Sequence, residues 1–310
     1  MNFFTNITAY QLSNADIVNE QELEKLLSGP MMAFHDCPPS MPYTSGFAPV
    51  REQEGEHTIT THQFVHLRFR SEKRMLPADV VERETDKLVA EREEQVERAL
   101  TKKERKAIKE GITQRLLPEA FTRLQDTRAI YNAGTGVLFI DSATKARCEA
   151  IVSRLAGALA ANNPDEPVTY HALPLSLNLS AVMSQWLLDT APPDGFDIEP
   201  EITLEDITEP ERKAAYSHWN RDDSDLDKLI RHGFQVRRQR MSLGDSEFTL
   251  DADSKVRRIK WHDPALADDD SESDASYLLL ADTLAEFWSR LRQACDNTIV
   301  EEDEDERETA

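Results

Sequence analysis

The sequence predicts an α+β fold built on antiparallel sheets, and three observations lead to that class. The patterns run in the order strands, helical hairpin, strands and helix, without the regular βαβ alternation of a parallel sheet. A later segment predicts three consecutive strands joined by short turns. Of the 310 residues, 39% are hydrophobic, which is enough for one large core or two to three small ones.

The N-terminal part predicts two strands separated by a loop. The first strand covers residues 3–12. The second covers residues 58–70, because TITTHQFVHLRFR alternates and is rich in β-branched and aromatic residues. Five prolines from Pro30 to Pro49 indicate a structured loop between the two strands.

A strongly charged helix is predicted to begin at Pro77. Its apolar residues Val81, Leu88 and Val96 are spaced by seven and eight, while Glu, Arg and Lys fill most other positions. This spacing predicts a narrow apolar seam along one side of the helix.

A second helix is predicted to follow a capping box, in which Thr101 and Glu104 satisfy each other's exposed backbone N–H groups. An apolar residue stands at every fourth position from Ile108, and the helix ends before Pro118. The two helices together predict a hairpin over 77–117 that protrudes from the body.

The chain then returns to strands. RAIYN and VLFID flank the turn Ala133–Gly136 and predict a β-hairpin, and Ser142 caps a helix that runs to about Ala161. VTYHALPLSL predicts a strand and SAVMSQWLLD a helix. Another helix covers 225–232 and is closed by Gly233.

A meander of three strands follows, formed by FQVRRQRMSL, SEFTLDA and KVRRIKWH, with turns at Gly244–Asp245 and Asp253–Ser254. The last element is an amphipathic helix over TLAEFWSRLRQAC. The predicted domains are a central α+β domain (1–76 with 118–172), the helical hairpin as a tip (77–117), an α+β base (173–298) and a disordered acidic tail (299–310).

The formal net charge of -22 is concentrated in two segments. Residues 263–274 hold six acids and no base, and residues 296–310 hold eight acids against Arg307 alone. These segments carry -13 of the total, so the rest of the chain has room for basic surfaces. No apolar run is long enough for a membrane span, and the N-terminus lacks a signal-peptide pattern, so we expect a soluble cytoplasmic protein.

Two basic segments stand out and predict contacts with DNA phosphates. The first, 98–128, has a local balance of +5, and Lys102, Lys106 and Lys109 follow helical spacing. The second, 234–262, has a balance of +3, and in strands Arg238 shares a face with Arg240 and Arg258 with Lys260. The predicted DNA-contacting residues are Lys102, Lys103, Lys106, Lys109, Arg115, Arg123, Arg237, Arg238, Arg240, Lys255, Arg257, Arg258 and Lys260. The alternative is that these cations pair with neighbouring glutamates on solvated faces.

Motifs of catalysis and cofactor binding are absent, so we expect neither an enzyme nor a cofactor. His57, His62 and His66 are the best metal candidates, but one strand would hold the last two ~13 Å apart, so no metal site is predicted. The three cysteines, Cys37, Cys148 and Cys295, lack the spacing of disulfide or metal frameworks and are predicted to be buried apolar residues.

The order of several short segments resembles the family of the bacterial recombination-associated protein RdgC. The matching pieces are FFTNITAYQLS, MAF before Cys37, GFAPV, EKRMLP, LLPEAFTRL, GVLFID, QWLLD before GF at Gly195, KVRRIKWHD and SYLLLADTLAEFWSRL. Each piece is weak alone, but together they are colinear over nearly the whole chain.

The resemblance implies a homodimer whose two α+β subunits close into a ring around duplex DNA, with little sequence preference. It also implies restraint of RecA-driven strand exchange, an association with the nucleoid, and contact with single-stranded DNA as a further option. Phe121 lies in the motif that the resemblance connects with ring closure. There an aromatic side chain fills a pocket of the other subunit, whereas the alternative has Phe121 packed beneath its own helix.

Some positions depart from the family pattern. Glu119 stands where the family usually has a basic residue, and AYSHWNRDDS before the 225–232 helix is nearly without cations. These losses and the acidic segments support a second hypothesis, in which the chain imitates DNA and binds a recombinase or another basic partner directly.

Overall fold

The computed structural model describes residues 3–13, 20–161, 167–189, 192–219, 224–262 and 273–298. The predicted α+β class with antiparallel sheets is confirmed. The chain divides into two compact units. The first unit comprises the described residues of 1–23, 58–66 and 128–310, and the second comprises those of 24–57 and 67–127.

The helices are α1 (Glu20–Leu27), α2 (Ala78–Val96), α3 (Lys102–Leu116), α4 (Lys145–Ala160), α5 (Leu179–Leu188), α6 (Ser224–Arg231) and α7 (Asp274–Asp296). The first seven strands are β1 (Thr8–Ser13), β2 (Tyr43–Ala48), β3 (Thr58–Thr61), β4 (Phe64–Arg74), β5 (Thr122–Asn132), β6 (Val137–Ile140) and β7 (Thr169–Ala172). The other five are β8 (Phe196–Asp206), β9 (Lys213–Tyr216), β10 (Phe234–Leu243), β11 (Ser246–Asp251) and β12 (Lys255–Trp261).

The first unit holds two sheets. In one, the order is β5-β6-β1-β7, with β5 represented by its residues 128–132, and in the other it is β12-β11-β10-β8-β9. The predicted turn between β5 and β6 is confirmed, with Asn132 opposite Val137 and Gly136 at φ 71°. The predicted meander is confirmed as β10, β11 and β12.

Helices α5 and α7 supply much of the core of the first unit. On α7, Leu280, Leu284, Phe287 and Leu291 are all buried, and their spacing of three to four residues forms one apolar face. Each such side chain contributes about 1.5–3 kcal/mol on full burial. Helix α5 is tied to β10 by hydrogen bonds as well, because Ser180 Oγ donates to the Val236 carbonyl at 2.7 Å.

In the second unit, β2 pairs with β4 in antiparallel register, and α2 packs against α3. The predicted capping box is confirmed, with both Thr101 and Glu104 engaged, and Pro77 is the N-cap of α2. That the pair of helices protrudes, and the predicted domain limits at 77, 117 and 173, stay predictions.

The predicted seam on α2 is wrong beyond Val81. The buried residues are Val81, Thr85 and Val89, whereas Leu88 is 40% exposed. A helix turns past a seven-residue repeat by about 20° per heptad, so Leu88 lies to the side of the face that the other three share. Thr85 is tolerated there because its hydroxyl donates to the Val81 carbonyl at 2.7 Å.

The predicted strand over 58–70 is wrong in one respect, because it is two strands. Residues 62 and 63 form a tight turn between β3 and β4, and His62 has φ 55°. Histidine is among the residues that enter this left-handed region more readily. The single-strand geometry that set His62 and His66 far apart therefore does not apply.

Two other limits differ from prediction. The helix predicted from Ser142 begins at Lys145; Ser142 Oγ accepts the Thr144 N–H at 3.1 Å and stabilises the turn before it. The strand predicted over 3–12 begins at Thr8, preceded by a single bridge from Ile7 to Val256.

The sequence did not predict α1, β2, β8 and β9. In β8 the reason is composition, because FDIEPEITLED holds five acids and a proline, which are depleted in strands. Pro200 is accommodated where the register between β8 and β10 shifts, because a bulge needs no ladder hydrogen bond from that residue.

All three cysteines are buried and unpaired, as predicted. No helix within the described ranges has the length and apolarity to cross a lipid bilayer. The acidic segment 263–272 and the tail 299–310 lie outside the described residues.

Candidate nucleic-acid interface

The thirteen predicted DNA-contacting residues form one group in each unit. The helix cluster, in the second unit, consists of Lys102, Lys103, Lys106, Lys109 and Arg115 on α3, with Arg123 on β5. The sheet cluster, in the first unit, consists of Arg237, Arg238 and Arg240 on β10, with Lys255, Arg257, Arg258 and Lys260 on β12. Each cluster is therefore a local feature of its own unit.

Carboxylates from α2 and α3 meet much of the helix cluster. Glu82 accepts hydrogen bonds from Lys109 Nζ at 2.6 Å and from the Arg105 guanidinium at 2.7 Å. These bonds, first that of Lys109 and then that of Arg105, hold the pKa of Glu82 below its usual range. Lys109 therefore does not present a free charge to solvent.

Two other cations of the helix cluster also lie near carboxylates, but at longer distances. Lys106 Nζ lies 3.8 Å from Glu110, and Arg115 lies 3.8 Å from Glu84. Exposed pairs at such distances contribute about 0–1 kcal/mol, so a phosphate can replace the carboxylate at little cost.

Lys102 and Lys103 differ from Lys106, Lys109 and Arg115, and Arg123 shares their exposure and their lack of an ion pair among the described residues. Within the described part of the chain, neither lysine has an ion-pair partner, and both are exposed. The two lysines occupy the first turn of α3, where the helix dipole is positive and a like charge is unfavourable by about 0.3–1 kcal/mol. An anion bound beside these two lysines would relieve that repulsion.

The sheet cluster owes its shape to irregularities in two strands. In β10, Val236 and Gln239 are both buried, and a register shift lets Arg237 and Arg238 lie side by side on the other face. A bulge of this kind places two consecutive residues opposite one.

Strand β12 has the same feature. Val256 and Ile259 are buried, and the two residues between them, Arg257 and Arg258, are directed away from the core. The register shifts here between Glu247 and Thr249 of β11. Arg258 takes φ 52°, a left-handed conformation that costs a non-glycine residue roughly 1–2 kcal/mol.

Asp251 on β11 organises this face. Its side chain is 1% exposed, and it lies 3.1 Å from Arg238 Nε, 3.2 Å from Arg257 Nε and 3.6 Å from Arg237 Nη1. One buried carboxylate therefore orients three guanidiniums, which leaves most of their positive charge uncompensated by Asp251. Sequence reasoning missed this residue, although Asp at the end of an apolar strand facing two Arg-Arg pairs is a detectable signal.

Other carboxylates moderate the sheet cluster. Glu247 pairs with Arg240 at 2.5 Å and lies 3.8 Å from Lys260, and the hydrogen bond from Arg240 lowers the pKa of Glu247. Asp253 lies 2.8 Å from Arg237 and 3.9 Å from Lys255. The cluster is thus a mixed surface with an excess of cations.

Phe121 is 87% exposed and so does not pack beneath its own helix. Its carbonyl accepts the Met75 N–H at 2.7 Å, which places two exposed apolar residues next to each other at the ends of β4 and β5. A large aromatic side chain left in water is a typical anchor for a partner.

The histidines considered as metal ligands have other roles. His66 is buried, with Nε2 3.2 Å from Thr61 Oγ1 and its ring packed edge-on against Tyr277. His57 Nδ1 lies 3.4 Å from Glu24. Among the described residues, no three His, Cys, Asp or Glu side chains are grouped so that they could hold a metal ion.

Comparison with known proteins adds to this geometry. A family model described as "Putative exonuclease, RdgC" matches residues 2–298. The recombination-associated protein RdgC of Cupriavidus pinatubonensis is 31% identical over 264 residues, which cover 81% of this chain and 84% of that protein. Those of Cupriavidus necator and Shewanella halifaxensis are 28% and 26% identical, over 94% and 91% of this chain and 97% and 94% of theirs.

Proposed function

The chain belongs to the RdgC family, and from this premise we propose that it binds DNA without sequence preference, as a homodimeric ring that encircles the duplex. In this proposal it restrains recombination by RecA and associates with the nucleoid. The relatives are named recombination-associated proteins, and their names support the process rather than the contact. The helix cluster and the sheet cluster support the contact with DNA.

The observation that carries the proposal is the sheet cluster. Two register shifts turn the pairs Arg237–Arg238 and Arg257–Arg258 to the same outer face, above one shared buried carboxylate. Arginine presents a planar fork of donors that matches phosphate oxygens. A row of such forks along a sheet favours contacts to the DNA backbone, which carry no base information.

The helix cluster supports a second set of backbone contacts through Lys102 and Lys103. Contacts to phosphates release counterions, so the logarithm of the binding constant falls with the logarithm of salt concentration by about 0.9 per phosphate neutralised. Steep salt dependence without sequence preference is the expected behaviour of this surface.

A salt titration of duplex binding tests the proposal. We expect the wild-type chain to bind at low salt and a Lys102→Glu, Lys106→Glu, Lys109→Glu variant to bind more weakly with a shallower slope. Single-stranded DNA in the same assay tests the wider substrate range. Fluorescence anisotropy with two unrelated duplexes measures affinity and sequence preference together.

The matched control changes three lysines outside both clusters: Lys25→Glu, Lys145→Glu and Lys228→Glu. It alters the net charge equally and lies on exposed positions. Equal loss of affinity in both triple variants would reduce the effect to net charge. Absence of binding at low salt, or binding that does not respond to salt, would overturn the DNA proposal.

A second candidate function is direct binding of a basic partner such as a recombinase, favoured by the eight acids of residues 296–310. A deletion of residues 299–310 separates the two, because it spares Thr298, whose hydroxyl accepts the Trp186 indole N–H at 2.7 Å. The DNA proposal expects duplex affinity to stay or to rise, while the second candidate expects partner binding to be lost.

The family description names an exonuclease, so the same duplexes also serve in a nuclease assay with Mg²⁺. We propose binding without bond cleavage, and expect the labelled strands to keep their length. Strand shortening that persists when the protein is purified further, and that a sheet-cluster variant abolishes, would contradict this part of the proposal.

A further inference from the structure

We propose that a recess on the outer face of the five-stranded sheet is a built site for one phosphate group. The recess has a volume of about 260 Å³. Arg238, Arg257 and Arg258 line it together with Asn6, Thr203 and Thr249, and all belong to the first unit. The recess exists because the shifts in β10 and β12 bring arginines from two strands together above β11.

The arginines are held in place from one side. Asp251 accepts a hydrogen bond from Arg238 Nε at 3.1 Å, and Arg257 Nε lies 3.2 Å from the same carboxylate. A guanidinium has five N–H donors, so each keeps terminal donors that Asp251 does not occupy. Asp251 fixes Arg238 by this hydrogen bond and holds Arg257 beside it as an ion pair, which preorganises an anion site because little side-chain entropy is lost on binding.

An unpartnered hydroxyl points independently to a ligand. Thr249 is only 7% exposed, and its Oγ1 has no hydrogen-bond partner among the described residues. Thr249 lies directly opposite Arg257 and lines the recess. A buried hydroxyl without a partner costs about 1–3 kcal/mol, which an oxygen of a bound anion would recover.

The left-handed backbone at Arg258 fits the same role. Its φ of 52° is unfavourable for arginine, yet it is what directs this side chain to the recess beside Arg257. Backbone strain of this kind is concentrated at functional sites.

Glu201 at the rim limits the affinity. It lies 3.5 Å from Arg258 Nη1 and repels an incoming anion. Three guanidiniums against this carboxylate still leave an excess of positive charge around the recess. We therefore expect binding of a dianion to be moderate and to strengthen when Glu201 is neutralised.

The convergence of three arginines and a hydroxyl suits a tetrahedral phosphate, which offers several acceptor oxygens to donors from different directions. Such a group is supplied either by free inorganic phosphate or by a nucleic-acid backbone. Only the second source rests on the proposed function, since the recess itself requires no DNA.

The test uses inorganic phosphate as the probe and the full-length chain, by isothermal titration calorimetry at constant ionic strength set with chloride. We expect saturable binding of one phosphate per chain. Thr249→Val and Arg258→Gln should each weaken it about tenfold, and Glu201→Gln should strengthen it. Lys213→Gln, which removes a cation from β9 outside the recess, is the matched control and should not change it.

Thr249→Val also answers the question of folding. Valine has nearly the same shape and favours strands, and the lost hydroxyl had no partner, so stability against urea should stay equal or rise. Weaker phosphate binding in a chain that is equally stable or more stable is therefore a result that misfolding cannot produce. Absence of saturable binding, or equal affinity in Thr249→Val and the wild type, overturns the recess as a phosphate site.

Duplex binding by the same variants distinguishes the sources. If phosphate binds the recess and these variants also lose duplex affinity, the site takes a backbone phosphate. If phosphate binds but no duplex does, the DNA proposal fails while the recess stands as a site for free phosphate. If the duplex binds with equal affinity to all variants, the recess again takes only free phosphate.

Discussion

Buried polar residues are the strongest constraints at the scale of single residues. Asp251 is fully buried and orients three arginines, so its loss would leave those cations without the group that holds them together. His66 is also buried, but its ring is neutral. Burial, with a smaller effect of the Arg128 charge, lowers its pKa from 6.5 to about 3.

This shift predicts a loss of stability in acid. Above pH 6.5, His66 is neutral in both the folded and the unfolded chain. As the pH falls from 6.5 toward 3, His66 becomes protonated in the unfolded chain but stays neutral in the folded chain, so the free energy of unfolding declines. At pH 5 this residue accounts for a loss of about 2 kcal/mol.

Urea denaturation at pH 7.5 and pH 5.0 measures it, with His66→Gln as the comparison because its amide can still reach Thr61 Oγ1. Between the two pH values, the free energy of unfolding of the variant should fall by about 2 kcal/mol less than that of the wild type. Parallel losses in both proteins would show that other groups govern acid unfolding.

At the scale of elements, pairing between neighbours decides how much charge a helix or strand presents. The acids of α2 meet the cations of α3, so a helix that is basic in sequence is partly neutral in structure. The shifts in β10 and β12 act in the other direction, because they collect arginines on one face. The element therefore presents a charge that its composition does not specify.

Glu82→Gln tests this pairing. Removal of the carboxylate releases Lys109, while Arg105 keeps its ion pair with Asp86, so duplex affinity should rise, with a salt slope steeper by about 0.9 for the one phosphate that Lys109 then contacts. Stability should change by no more than about 1 kcal/mol, because the pairs are exposed. Glu91→Gln is the matched control on the same helix, and anisotropy titrations compare the two.

Unchanged affinity in Glu82→Gln would remove Lys109 from the DNA surface and leave Lys102, Lys103 and the sheet cluster as the remaining candidates. An equal rise in Glu91→Gln would assign the effect to net charge.

At the scale of the whole molecule, the chain combines a net charge of -22 with two local cationic surfaces, one in each compact unit. The long-range field of the chain repels DNA, while short-range contacts attract it. Salt screens both, so it weakens the repulsion as well as the attraction. Assembly adds a further condition, because a ring needs two copies of the chain. Phe121 is the exposed aromatic residue with which that assembly is proposed to close.

Phe121→Ala tests the homodimer. An aromatic anchor at an interface commonly contributes 2 kcal/mol or more, and a homodimer loses two of them, so the dimer should dissociate at a concentration higher by roughly a thousandfold. Because the side chain is 87% exposed, the folded chain itself should keep its stability. Sedimentation velocity over a concentration series measures the assembly.

Leu177→Ala is the control, since Leu177 is also a fully exposed apolar residue and lies in the first unit. Unaltered dimerisation of Phe121→Ala, or an equal effect of Leu177→Ala, would exclude Phe121 as the anchor.

Local patterns in the sequence determined the elements whose cause is local. The capping box at Thr101, the turn that ends at Gly136 and the meander are each specified by neighbouring residues, and the structure has them as predicted. The colinear segments likewise identified the family that the chain belongs to. The composition also indicated where the cations lie along the chain.

Only the tertiary structure decided which of those cations are paired and which converge. Glu82 lies more than twenty residues from Lys109, so this contact does not follow from helical spacing. Arg238 is opposite Asp251 in the predicted hairpin, but the bulge that brings Arg257 to the same carboxylate does not follow from strand spacing. Strand β8 was not predicted because it is rich in acids and contains Pro200, which lies where the register with the arginine-rich β10 shifts. Local periodicity specifies an element, whereas pairing free energies depend on distances that exist only after the chain has folded.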